Sequence, residues 1–87
     1  MSDTEIPADL IALKAKFYTT DRELTVLSRA EPYDSAAWRA THNELGELAV
    51  QIDRVLRALP PVERLKLDKA ASAAAREQIA AQGSAGG

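Results

Sequence analysis

Eighty-seven residues with no cysteine and a single histidine make one domain at most, without a disulfide or a thiolate metal centre to brace it. The composition, 46% apolar and 28% charged, is that of a globular chain rather than a disordered one, and a net charge of −2 gives no bulk attraction to phosphate backbones or anionic membranes. No apolar run approaches the roughly 18 residues of a membrane span, and residues 1–5 are acidic and polar where a secretory leader is basic and then apolar. These features give the cytoplasm as the expected address, which the absence of cysteine also fits.

Helix 1 is expected over about 7–30. Ser2 and Glu5 have capping-box spacing, and Pro7 suits a first turn, where its missing N–H costs nothing. From there Ile6, Leu10, Leu13, Phe17, Thr20, Leu24 and Leu27 recur at alternating steps of four and three, the seam of a helix gripping another helix. The run Glu31-Pro32-Tyr33-Asp34 breaks the period, since a residue before proline is pushed out of the α region. Asp34 or Ser35 then caps helix 2.

Helix 2, expected over about 35–59, carries the clearest seam in the chain: Trp38, Thr41, Leu45, Leu48, Ile52, Val55 and Leu59. A connection this short makes helices 1 and 2 antiparallel neighbours, a helical hairpin. Pro60-Pro61 ends helix 2 and opens helix 3, expected over about 61–81. Helix 3 reads as a shorter, alanine-rich element: Val62, Leu65 and Leu67 are its large apolar residues before Ile79, with five alanines between. Alanine favours the helix but buries little more than a methyl group, so helix 3 forms easily and is weakly held. Residues 83–87, with three glycines, read as a flexible tail behind a single domain of residues 1–82.

No catalytic, cofactor or metal motif stands beside these seams. Trp38 and His42 lie one turn apart, but a metal site needs three or four protein ligands and the chain has no second histidine. Trp38 is expected to close the hairpin near its turn with His42 flanking the seam. The carboxylates Glu44 and Glu47 fall outside the seam on a face expected to be solvated, without the burial or crowding that acid–base work requires. Tyr33, in the turn, is either a contact residue or folded back over Trp38 or Leu27, and the second is favoured.

Two surfaces invite a partner. On helix 1, Ile11, Ala15, Tyr18, Thr25 and Val26 form a second apolar stripe that helix 3, a second copy or another protein must cover. On helix 2, Gly46 and Val50 lie one turn apart outside the seam, and a mid-helix glycine costs about 1 kcal/mol relative to alanine, which close backbone approach would justify. The partner-binding candidates are therefore Ile11, Tyr18, Val26, Tyr33, Gly46 and Val50. A basic corner of Arg54, Arg57, Arg64, Lys66 and Lys69 is the alternative, a nucleic-acid contact disfavoured by the acidic total charge and the absence of interleaved aromatics.

The expected protein is thus all-α: a long antiparallel hairpin with a third helix across it, either a three-helix bundle or a dimeric one. The expected function is non-enzymatic, an adaptor, assembly or inhibitor protein acting through a helix face on another protein or on its own copy, with a homodimer favoured. No cofactor or membrane is called for.

Overall fold

A computed structural model of the chain describes residues 6–85. It is an all-α, three-helix bundle, with α1 at Ala8–Arg29, α2 at Ser35–Arg57 and α3 at Pro61–Ala85. The capping-box candidates Ser2 and Glu5 and the final pair Gly86-Gly87 lie outside the described residues.

Each boundary has a local cause. Pro7 stands at the N-cap of α1, and its carbonyl accepts from the N–H groups of Leu10 at 3.0 Å and Ile11 at 3.3 Å. Ala30 leaves the helix in extended backbone two residues before Pro32. Asp34 caps α2, its carboxylate accepting the Ala37 N–H at 3.0 Å. α2 stops at Arg57, two residues before the expected end, because Leu59 precedes Pro60 and cannot continue the helix. The Arg64 guanidinium covers that end, donating to the carbonyls of Leu56 at 2.8 Å, Leu59 at 3.2 Å and Arg57 at 3.4 Å.

α3 corrects the expectation twice. At 25 residues it is longer than α1 or α2, and it runs through Gly83 to Ala85 where a tail was expected from 83. Alanine-rich sequence holds helical backbone without an apolar stripe, and one glycine costs too little to stop it.

α1 lies in the middle. α2 packs antiparallel to it: at the turn, Trp38 Nε1 donates to Ser28 Oγ at 2.9 Å, and at the far end Asp9 and Leu13 lie near Gln51 and Val55. α3 packs parallel to α1, as the ladder Lys14–Asp68, Tyr18–Ser72 and Tyr18–Arg76 shows. α2 and α3 touch each other little.

This arrangement leaves a thin core of Leu10, Leu48, Leu67, Ala71 and Ala75. The seams point inward as expected, but Leu13, Phe17, Leu24, Leu45 and Ile52 are only half-buried. The radius of gyration is 15.1 Å, against about 12 Å for a compact domain of this length.

Candidate interaction surfaces

The α1–α3 contact is polar where sequence reading expects an apolar stripe. Lys14, 7% exposed, reaches from α1 to Asp68 on α3 and donates to Ser72 Oγ at 2.8 Å. Tyr18 Oη donates to the same oxygen at 3.0 Å, and Arg76 lies over the Tyr18 ring at 5.5 Å from its centroid. A serine beside a lysine is the pairing used by Ser–Lys hydrolases. Here the Ser72 oxygen accepts from both side chains while the lysine also binds a carboxylate, so the cluster clasps α1 to α3.

The clasp answers part of the question posed by the second stripe of α1. Ile11, Ala15 and Tyr18 are half-buried, with Tyr18 held under α3. Thr25 and Val26 remain outside, Val26 at 62% exposed. Of the two halves of the stripe, the C-terminal one is the more exposed.

Tyr33 does not fold back. It is 55% exposed, and all of residues 31–34 lie on the surface. Trp38 is anchored on Ser28 and stacked on His42 with ring centroids 4.9 Å apart and planes 13° apart. Trp38 thus closes the hairpin as expected.

Gly46 has nothing from the rest of the chain within 4 Å of the place a Cβ would occupy, so no close approach within the molecule accounts for it. It instead opens a shallow cleft of about 600 Å³ on the outer face of α2, among Asn43, Glu47, Val50, Gln51 and Arg54. Val50 is 52% exposed there. A smaller trough of about 310 Å³ lies between α1 and α2, bounded by Phe17, Ala49, Ile52 and Leu56.

The basic corner is less free than the sequence suggests. Arg64 is spent on the end of α2, and Arg57 Nε pairs with Asp53 at 2.8 Å. Arg54, Lys66 and Lys69 are exposed and make no ion pair among the described residues. Among the described residues, no three His, Asp or Glu side chains converge as metal ligands, and no helix is long and apolar enough to cross a membrane.

Sequence reading missed Lys14, Asp68 and Ser72. The available signal was a pair of i, i+4 polar couples, Lys14 with Tyr18 and Asp68 with Ser72, able to face each other across parallel helices.

No family model, curated protein or solved structure matches the chain.

Proposed function

We propose that this chain is a small non-enzymatic helical interaction module, an adaptor, assembly or inhibitor protein that presents an exposed helix face to another protein or to a second copy of itself. The observation that carries this reading is exposed apolar side chain on helix faces and in the turn, with Val26 62%, Tyr33 55% and Val50 52% exposed. The faces that offer it are the outer side of α2 around Val50, the open end of the α1 stripe at Val26, and Tyr33 in the turn.

The test compares tagged full-length protein with Val26→Lys, Tyr33→Ala and Val50→Lys forms, each checked for retained helicity. At least one substitution is expected to reduce recovery of the bound protein, whether a different chain or untagged copies. Equal recovery by all four would overturn the reading. Nucleic acid in place of protein would show as an affinity falling steeply with salt, which an apolar helix contact does not do.

A further inference from the structure

We infer that the outer face of α2 is a self-complementary surface on which a second copy of this chain docks, its α2 antiparallel to the first and crossing at Val50. The inference rests on the reading of the chain as an interaction module and names the partner and the register.

The order of charge along α2 points to the occupant. At 100° per residue, Glu47 and Arg54 lie about 60° and 40° to one side of Val50, and Gly46 and Asp53 lie about 40° and 60° to the other. Glu47 stands three residues before Val50 and Arg54 four after it. In an antiparallel pair with a two-fold axis at Val50, residues on one flank of a helix meet the same flank of its copy. Glu47 of each copy then lies within about 1.5 Å, along the axis, of the level of Arg54 on the other, and the match occurs twice. Among the described residues neither side chain has an ion-pair partner of its own.

The other flank fits as well. There Gly46 comes level with Asp53 of the copy, and Asp53 is already neutralised by Arg57 at 2.8 Å. The space over Gly46, empty within the chain, is what a neighbouring helix and its Asp53–Arg57 pair need. Val50, 52% exposed, meets Val50 of the copy. Arg39 falls beyond the end of the other α2. A parallel two-fold pairing would instead bring each flank against the opposite one, setting Glu47 level with Gly46 of the copy and Arg54 with Asp53, which Arg57 already neutralises, so that Glu47 stays unpaired.

Charge reversal tests the register on the full chain. Sedimentation equilibrium over a concentration series is expected to show a monomer–dimer equilibrium for the native sequence. Glu47→Arg and Arg54→Glu should each weaken the dimer by at least about tenfold, through two lost pairs and new repulsion. The double variant should return to within about threefold of the native value, because the pairs are restored with signs exchanged. Val50→Cys, in a chain with no other cysteine, should form a disulfide-linked dimer on mild oxidation faster than Leu65→Cys, which is more exposed, 63% against 52%, but off this face. A chain monomeric at every concentration overturns the inference, and so does a double variant no better than the single ones. Association that ignores these charges also overturns it while leaving the broader interaction reading intact.

Discussion

Lys14 on α1 binds Asp68 on α3, fifty-four positions along the chain, with the lysine side chain 9% exposed and the aspartate 38%. The two partners are unequally dependent on each other. An aspartate this exposed keeps much of its hydration if the lysine is lost, whereas a buried ammonium without its carboxylate retains only Ser72 as an acceptor. Asp68→Ala is therefore expected to cost about 1–3 kcal/mol, at the lower end because solvent screens the pair. Lys14→Met keeps the stem volume, removes the charge, and should cost under about 1 kcal/mol. Urea unfolding midpoints decide this, and a larger loss for Lys14→Met would show that the ion pair adds net stability.

The seam of α2 and its outer face should respond differently to truncation. Leu48 is 4% exposed and Val50 is 52% exposed, two positions apart on opposite sides of the helix. Leu48→Ala removes packed side chain and leaves a cavity, at about 2–5 kcal/mol. In the dilute monomer Val50→Ala should cost under about 1 kcal/mol. For a domain whose whole stability is of order 5 kcal/mol, the first change largely unfolds the chain and the second leaves it folded. Equal losses measured by thermal melting at low concentration would contradict the packing described.

Those two predictions mark what was and was not legible in the sequence. The period from Leu10 to Leu27 and from Trp38 to Leu59 follows from helix geometry alone, and the prolines at 32, 60 and 61 act on their immediate neighbours, so hairpin and boundaries could be read locally. Lys14 could not. One turn from Leu10, it looks like an ordinary solvated residue until α3 is known to run parallel to α1 with Asp68 at its level. The end of α3 was hidden for a different reason: past Ile79 no apolar period remains, and only alanine propensity carries the backbone on to Ala85. Gly46 was noticed, but its cost suggested a contact inside the molecule, where there is open space.

The alanines of α3 are structural through their smallness. Ala71 and Ala75 are fully buried one turn apart, beside Ser72, and set how closely α3 approaches α1. Ala71→Leu is expected to destabilise by about 1–3 kcal/mol through overpacking, despite adding apolar surface. Ala73→Leu, at an exposed site on the same helix, should be within about 0.5 kcal/mol of neutral. Chemical denaturation of the two variants separates close packing from helix propensity, since propensity alone treats them alike.

Arg64 joins α3 to the end of α2. Its Nε and Nη2 groups donate to three carbonyls, those of Leu56, Arg57 and Leu59, in the turn where Pro60 prevents the helix from closing its own hydrogen bonds. α2 and α3 touch little besides. Arg64→Ala should therefore cost about 1–2 kcal/mol and raise amide exchange in the last turn of α2 and the first of α3, leaving the α1–α2 hairpin protected. Arg64→Lys keeps the charge but not the planar fork, and is expected to recover less than half of the loss. Full recovery by lysine would mean that the cation acts through the helix dipole rather than through directed hydrogen bonds.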